Sequence, residues 1–266
     1  MPELTVEVLD LAKTFYDESR GEVKAVEGVT FECRAGEVFG LLGANGAGKT
    51  TTLRMLSTIL KPTGGSARIM GCDVLSEPED VRRSLGFYSA STALYPRLTG
   101  RETLEFFAAI NGYPRERMRQ RIDALVERFG LGAYQNARVE KLSTGMKQKV
   151  SIARTVAHDP PVLIFDEPTV GLDVMNALEM VHVIRELRGE GKTIIFSTHI
   201  MSEVEKLCDR IAIVHRGKLL ALGPLAELRD ATGKHYLEDV FVQLVTQAEG
   251  VAGAGIGFGG VLEDGA

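Results

Sequence analysis

The sequence contains few cysteines, no long apolar run and little net charge, and each of these features excludes a class of protein. Its three cysteines, Cys33, Cys72 and Cys208, are far apart, which is typical of reduced thiols in a cytosolic protein and provides no metal-ligand spacing. No apolar run approaches the roughly 18 residues that a membrane-spanning helix needs. If the protein works at a membrane, another chain must therefore anchor it.

The first residues and the overall charge exclude two further classes. The N-terminus has no charged start followed by an apolar core, so we expect no secretory signal. The net charge of −5 gives no support to general nucleic-acid binding, and we predict no nucleic-acid partner. The 266 residues are enough for one large domain or two small ones.

Short apolar runs alternate with helical patterns along most of the chain. The runs Val38–Leu42, Val162–Phe165 and Thr193–Ser197 are apolar on both faces, which is typical of parallel strands buried in a sheet. Patterns typical of helices follow at residues 50–57, 174–188 and 202–209. This alternation predicts an α/β fold.

Three regions depart from the alternation. Residues 4–11 and 29–33 predict an antiparallel β portion, and residues 87–158 are mostly helical, like an insertion between two core strands. We predict a main domain over residues 1–235 and a C-terminal extension over residues 236–266. The extension ends in a glycine-rich tail, VAGAGIGFGG from residue 251, which we expect to be mobile.

The segment Gly43–Thr50, GANGAGKT, matches the phosphate-loop pattern G-x-x-x-x-G-K-[ST] between a predicted strand and a predicted helix. Its glycines permit a backbone whose amides point at phosphate oxygens. We predict that Lys49 contacts the β- and γ-phosphates of a nucleotide and that Thr50 ligates Mg²⁺. The pattern alone leaves kinases, GTPases, recombinases and transporter motors open, and a glycine-rich turn with an incidental lysine is the alternative. The candidate nucleotide-binding residues here are Gly43, Asn45, Gly46, Ala47, Gly48, Lys49, Thr50 and Thr51.

Two further apolar runs end in residues suited to phosphate chemistry. Asp166 can hold Mg²⁺ through a water, and Glu167, next in the chain, can orient or deprotonate an attacking water. This second acid favours hydrolysis over transfer to a bound acceptor. His199 follows another run, at the sheet edge where ligands bind, and can contact a γ-phosphate or position the water. An acidic strand cap and a structural histidine are the alternatives.

Taken in order, these motifs resemble the nucleotide-binding cassette of ABC transporters over about residues 3 to 225. Gly43–Thr50 matches the Walker A loop, and residues 162–166 match the Walker B strand. The segment KLSTGMKQK, Lys141–Lys149, lies where the family places its signature, usually written LSGGQ. Residues 170–173, VGLD, resemble the D-loop, with Gly171, Leu172 and Asp173, and His199 resembles the switch histidine. The joint match of five ordered motifs is far more specific than any one of them.

The resemblance implies that two cassettes sandwich two ATP molecules with Mg²⁺. Each ATP then lies between the Walker A loop of one copy and the signature of a second copy of the chain. Ser143 and Gly145 would contact the γ-phosphate across this dimer, where a helix N-terminus favours an anion. An aromatic residue stacks on adenine in this family. Phe15 is the best match and Tyr16 the second, and packing of Phe15 within the β portion is the alternative.

The resemblance also implies a transmembrane permease that binds the cargo. The chain would then be a cytoplasmic motor subunit held on the inner face of the cell membrane. We expect the permease to contact the groove around residues 88–101, where Leu94, Tyr95 and Leu98 offer apolar anchors, unless these side chains pack internally. An ATPase of this class acting on nucleic acid or the ribosome, or a nucleotide switch with little hydrolysis, are the alternatives.

The chain departs from the family pattern at two places. In the signature, Thr144 replaces a glycine and Met146 replaces a glutamine. The stretch Gly86–Pro96 lacks the glutamine that the family places near Mg²⁺ and the attacking water, with Ser89 or Ala90 near its expected place. Both departures resemble the ATPase subunits of sodium-extrusion (Nat-type) exporters, as do the run SASTALYPRLTGRE from residue 89 and LEDVF from residue 237.

Overall fold

The computed structural model describes residues 3–19, 21–90 and 92–250, and within them the chain forms a four-stranded and a six-stranded sheet. The glycine-rich tail lies outside the described residues. The strands are β1 (Leu4–Asp17), β2 (Gly21–Arg34), β3 (Val38–Leu42), β4 (Gly64–Ile69), β5 (Cys72–Asp73), β6 (Leu85–Ser89), β7 (Val162–Asp166), β8 (Thr193–Thr198), β9 (Arg210–His215) and β10 (Lys218–Gly223). The helices are α1 (Lys49–Leu56), α2 (Pro78–Ser84), α3 (Gly100–Ile110), α4 (Arg115–Arg128), α5 (Thr144–Thr155), α6 (Val174–Gly189), α7 (Met201–Leu207), α8 (Leu225–Thr232) and α9 (Leu237–Ala248), and a 3₁₀ turn lies at Val139–Lys141.

The larger sheet has the order β10-β9-β3-β8-β7-β6 among the described strands. Its strands pair in parallel except for β10, which pairs antiparallel with β9. The predicted strands β3, β7 and β8 are confirmed, and every residue in them is buried. Because parallel strands end at the same edge, the segments that follow β3, β7 and β8 lie side by side. The predicted helices that follow them are confirmed to within two residues at each end.

The smaller sheet has the order β2-β1-β4-β5 and is antiparallel. It confirms the predicted antiparallel β portion, but β1 and β2 are longer than predicted because they continue to the pair Asp17 and Gly21. The added residues of β1, from Ala12 onward, are half-buried or exposed. Their pattern has no buried face, so it could not be distinguished from a polar turn.

Helices α3, α4 and α5 lie between β6 and β7 in the chain and share one apolar cluster, with Leu104, Ile122 and Val150 fully buried. These three helices lie within the segment where the helical insertion is predicted. Its predicted start at residue 87 falls inside β6, which belongs to the large sheet through its pairing with β7. The first helix beyond β6 begins at Gly100, where Thr99 and Glu102 form a capping box.

The C-terminal helix α9 packs against the large sheet. Leu237 and Val240 are fully buried in a cluster that includes Leu42 of β3 and Ile211 of β9. The predicted boundary at residue 235 therefore does not separate residues 236–250 from the main body. None of the helices in the described ranges is both long and apolar enough to cross a membrane.

Candidate functional site

The segment between β3 and α1 forms an open cavity of about 360 Å³. Two glycines of this loop are needed because other backbone segments pass too close for a side chain. A Cβ at Gly43 would lie 2.5 Å from the carbonyl oxygen of Val214, and one at Gly48 would lie 2.6 Å from that of Ala25. Gly48 also has a φ of 104°, which L side chains rarely adopt. The cavity is lined by Ala25, Asn45, Gly46, Ala47, Gly48, Lys49, Thr50, Thr51 and Glu167.

Lys49 is buried at this cavity and its ammonium group contacts three oxygens. Its Nζ donates to the carbonyl oxygens of Gly43 at 2.7 Å and Ala44 at 3.2 Å, and it lies 3.1 Å from Oε1 of Glu167. The Lys49–Glu167 ion pair therefore occupies the ammonium group that a phosphate would need. A nucleotide phosphate that binds the Lys49 ammonium group must therefore displace the Glu167 carboxylate from it.

Asp166 accepts hydrogen bonds from hydroxyl groups of two neighbouring elements, α1 and β8. Its Oδ1 accepts hydrogen bonds from Thr50 Oγ1 at 3.1 Å and from Ser197 Oγ at 2.8 Å, and the residue is 4% exposed. One carboxylate with hydroxyls beside a phosphate loop is the oxygen-rich donor set that suits Mg²⁺, which binds proteins through few carboxylates together with phosphates. The residues present therefore fit this cation.

Glu167 is held in an unusual backbone conformation. Its φ of 47° lies in the left-handed region, and its N–H donates to Oγ and to the carbonyl oxygen of Ser197, each at 3.1 Å. Its Oε1 lies 3.4 Å from Nδ1 of His199. Strained backbones of this kind persist when the surrounding structure holds them, and they concentrate at functional sites. The structure thus brings Lys49, Asp166, Glu167 and His199 together.

The signature and D-loop residues lie apart from this cavity. Ser143 caps α5 and accepts a hydrogen bond from the N–H of Met146 at 3.3 Å, so α5 begins at the signature as predicted. Asp173 caps α6 in the same way by accepting from the N–H groups of Met175 and Asn176. Hydrogen bonds from the backbone and side chain of Asn176 hold the pKa of Asp173 below its usual range. Neither Ser143 nor Gly145 lines the Lys49 cavity.

A second cavity, of about 540 Å³, lies where the family glutamine is missing. Ser89 pairs directly with Asp166 across β6 and β7, and Ala90 follows it as an exposed residue. Ser89 and Ala90 share this cavity with Gln148 of α5 and with the D-loop residues Gly171 and Leu172. The end of β6, the start of α5 and the D-loop therefore meet within one chain.

Phe15 lies on β1 opposite Val23, is 40% exposed and has the ammonium group of Lys13 5.2 Å from its ring centroid. It is not among the residues that line the Lys49 cavity. Tyr16 is almost wholly exposed. Both rings are exposed enough to stack on a planar group.

Two residues of this site were not predicted from the sequence. Ser197 contacts both Asp166 and Glu167. In the sequence it is only the polar residue at the end of a predicted strand, which gives no sign of this role. Ala25 lines the phosphate-loop cavity from β2 and carries no side chain that would attract notice. Only the strand order, which places β8 beside β7, shows the position of Ser197.

The comparisons with known proteins agree with this geometry. The family model described as "ABC transporter" matches residues 26–170. The chain belongs to the ABC transporter ATPases. This ABC ATPase is 40% identical over 238 residues to the ABC transporter ATP-binding protein NatA of Bacillus subtilis. The aligned region covers 89% of this chain and 96% of NatA. It is 36% identical to the daunorubicin/doxorubicin resistance ATP-binding protein DrrA of Streptomyces peucetius, over 89% of this chain and 70% of that protein.

Solved structures show the same fold. An ATP-binding subunit of an ABC transporter superimposes with a TM-score of 0.82 at 32% identity, over 91% of this chain and 99% of the other. A dimeric post-hydrolysis state of the cassette MJ0796 bound to ADP and Pi matches with a TM-score of 0.75 at 26% identity, over 83% and 98% of the chains. The predicted α/β P-loop NTPase fold is confirmed, and this ABC ATPase is an ATP hydrolase that binds ATP.

Proposed function

We propose that this ABC ATPase is the motor of a membrane exporter and that it binds Mg²⁺–ATP between two copies of itself. The observation that carries this proposal is the separation of two half-sites within one chain. Lys49, Asp166 and Glu167 converge at one cavity, whereas Ser143 and Gly145 stand at the open start of α5. A second copy, placed head to tail, completes each site.

The residues of the first half-site have distinct proposed roles. Lys49 and the amides of Gly43–Thr50 bind the phosphates, helped by the N-terminus of α1. Thr50 and Asp166 hold Mg²⁺, which would neutralise the developing charge on the phosphate oxygens. Glu167 takes a proton from the attacking water, and His199, 3.4 Å from Glu167, orients that carboxylate and contacts the γ-phosphate. Phe15 stacks on adenine.

The second half-site comes from the partner copy. Its Ser143 hydroxyl and the N–H groups that begin α5 bind the γ-phosphate, with Gly145 leaving room for it. Its D-loop, Gly171, Leu172 and Asp173, lies along the same interface. An exposed apolar surface beside the D-loop supports this placement, since such surfaces are usual where proteins associate. This surface consists of Val170, Val174, Met175 and Leu178, which are 41%, 74%, 74% and 54% exposed.

A second exposed surface supports the membrane partner. The rings of Tyr95 and Phe106 meet edge to face at 5.6 Å and are 53% and 41% exposed. Phe107 packs below them, with the Arg154 guanidinium 4.9 Å from its centroid. Leu94 packs against the core cluster and also lines the second cavity, so it is less available to a partner than Tyr95. We assign this aromatic surface to a permease helix, on the inner face of the membrane.

The names of the relatives support export as the direction of transport. They include the linearmycin resistance ATP-binding protein LnrL of Bacillus subtilis at 34% identity and the Nod factor export ATP-binding protein I of Paraburkholderia xenovorans at 38% identity. These similar ATP-binding proteins are named for different cargoes. We therefore assign the selection of the cargo to the membrane partner. Sodium is the first cargo to test, on the resemblance of residues 89–102 and 237–241 to Nat-type subunits. We assign residues 1–235, with the helical insertion, to the ATPase domain of this motor, and α9 packs directly onto that domain.

The permease assignment is tested by changing Tyr95 to Ala and measuring the ratio of ATPase rates with and without a membrane protein that co-purifies with the wild-type chain. Removing a central aromatic anchor costs about 2 kcal/mol or more at an interface, so we expect this stimulation ratio and co-purification to fall about tenfold or more. Tyr236→Ala, at another exposed tyrosine, is the control. Equal loss in both variants, or loss in neither, would exclude this surface.

The missing glutamine is tested by changing Ala90 to Gln. The cavity beside Ala90 is large enough for the amide, and one additional neutral hydrogen bond is worth about 1 kcal/mol. We therefore expect the Mg²⁺ concentration for half-maximal ATPase to fall about fivefold. Ala93→Gln, also exposed at this cavity, is the matched control. An unchanged Mg²⁺ dependence in Ala90→Gln would show that residue 90 is not the position of the missing ligand.

A further inference from the structure

The turn between β9 and β10 has a conformation that restricts its shape. Its two central residues, Arg216 and Gly217, have φ values of 46° and 80°, and the flanking residues His215 and Lys218 pair across the hairpin. Two successive left-handed residues are typical of the tight turn whose twist matches that of antiparallel strands. The β9–β10 turn is therefore a compact, well-defined element.

This turn lies directly against the phosphate loop. The N–H of Gly217 donates to the carbonyl oxygen of Ala47 at 2.9 Å, and the carbonyl oxygen of Gly217 accepts from the N–H of Glu27 at 2.7 Å. A Cβ on Gly217 would lie 3.0 Å from the carbonyl oxygen of Ala25, and one on Gly48 would lie 3.4 Å from Cα of Gly217. Backbone packed at this distance transmits a displacement of the turn to the phosphate loop.

The same turn is tied to the end of the C-terminal helix by one carboxylate. Oε1 of Glu249 lies 3.0 Å from Nε2 of His215 and 2.8 Å from the guanidinium of Arg216. Glu249 is the C-cap residue directly after α9. The other end of α9 is anchored by the buried Leu237, which shares a cluster with Leu42, the residue directly before the phosphate loop.

We propose that α9 acts as a strap that holds the β9–β10 turn against the phosphate loop, and that Glu249 is a positioning residue for nucleotide binding. The carboxylate contacts no residue of the Lys49 cavity. It acts through His215 and Arg216 on Gly217, and through the Gly217–Ala47 hydrogen bond on the loop that lies over the phosphates. The proposal rests on the proposed assignment of Gly43–Thr50 as the phosphate loop.

The test is Glu249→Gln in the full chain. Because half-exposed ion pairs contribute modestly, we expect the dissociation constant for ATP, measured by competition with a fluorescent ATP analogue, to rise about two- to fivefold. The KM for ATP rises by the same factor, and kcat changes by less than KM. A residue that only stabilises the fold would lower the melting temperature without this division between KM and kcat.

Two further variants separate the strap from a general effect of α9. Glu238→Gln removes an exposed carboxylate from the first turn of the same helix and is expected to leave ATP affinity unchanged. Arg216→Gln combined with Glu249→Gln is expected to weaken binding no more than Glu249→Gln alone, because Glu249→Gln already removes the carboxylate that Arg216 contacts. Additive losses, an equal loss in Glu238→Gln, or an unchanged affinity in Glu249→Gln would overturn the proposal.

Lys49→Ala distinguishes failure of the strap from failure of the proposed phosphate site. If Lys49→Ala abolishes ATP binding while Glu249→Gln keeps wild-type affinity, only the strap is wrong. If Lys49→Ala itself binds ATP with wild-type affinity, the phosphate-loop assignment and the strap are both wrong.

Discussion

Glu167→Gln is expected to lower kcat by about 10²–10⁴-fold, the range typical of a general base, and to accumulate a dimer with ATP bound. The amide keeps the size of the side chain and its place beside His199. It cannot accept the proton of the attacking water. ATP would therefore remain unhydrolysed between the two copies, and the closed dimer would persist.

The contact with Lys49 gives this variant a second expected effect. In this structure Oε1 of Glu167 lies 3.1 Å from Nζ of Lys49, where it competes with a phosphate for the ammonium group. A neutral amide competes less strongly than a carboxylate, because charged hydrogen bonds are roughly twice as strong as neutral ones. We therefore expect Glu167→Gln to bind ATP more tightly than the wild-type chain even before a dimer forms.

Phosphate release measures turnover, light scattering measures the dimer, and competition with a fluorescent ATP analogue measures the ATP affinity of the single chain. Glu190→Gln is the matched control, because Glu190 is an exposed carboxylate paired with Arg128 at 2.7 Å, at the end of α6. It is expected to retain wild-type turnover and to remain monomeric at the same ATP concentration. Unchanged turnover in Glu167→Gln, with no dimer by light scattering, would refute the assignment of Glu167 as the base.

Gly145→Asp is expected to abolish cooperative hydrolysis, with a loss of about 10²-fold or more in turnover, while ATP binding by the single chain stays nearly intact. Loss of one preorganised group that stabilises the transition state costs turnover on this scale. The new carboxylate would stand at the start of α5 and repel the γ-phosphate presented by the partner copy. The Lys49 cavity is not altered, so each chain still binds ATP.

The local structure makes this substitution more informative than Ser143→Ala. A Cβ at Gly145 would meet no atom within 4 Å outside its chain neighbours and the backbone of its own helix, and an acid in the first turn of a helix is favourable. The fold of Gly145→Asp is therefore expected to be at least as stable as the wild type. Ser143→Ala also lowers cooperative hydrolysis, but it removes the cap hydrogen bond to Met146 and costs about 1 kcal/mol of helix stability.

The control for Gly145→Asp is Gly132→Asp, an exposed glycine that also has open space at Cβ. We expect it to retain full turnover. The measurements are the ATPase rate as a function of protein concentration and the ATP affinity of the isolated chain. Full turnover in Gly145→Asp would show that the segment Lys141–Lys149 is not the signature.

The fold and much of the site could be predicted because their signals are local. The buried strands β3, β7 and β8 are continuous apolar runs, and the phosphate loop is eight contiguous residues whose glycines are needed by the backbone itself. The extensions of β1 and β2 could not be predicted, since their exposed residues have no apolar face. Residue 87 was a wrong boundary because the short strand β6 precedes the helices and pairs far along the chain.

The sequence by itself determined the family, the order of the motifs and the identity of Lys49, Asp166 and Glu167 as candidates, because each belongs to a short segment with a recognisable pattern. Only the tertiary structure decided which distant residues support them. Ser197 meets Asp166 because β8 pairs with β7, and Glu249 meets His215 because α9 packs against the large sheet. Contacts of this kind depend on strand order and helix packing, which hydrophobic periodicity does not specify.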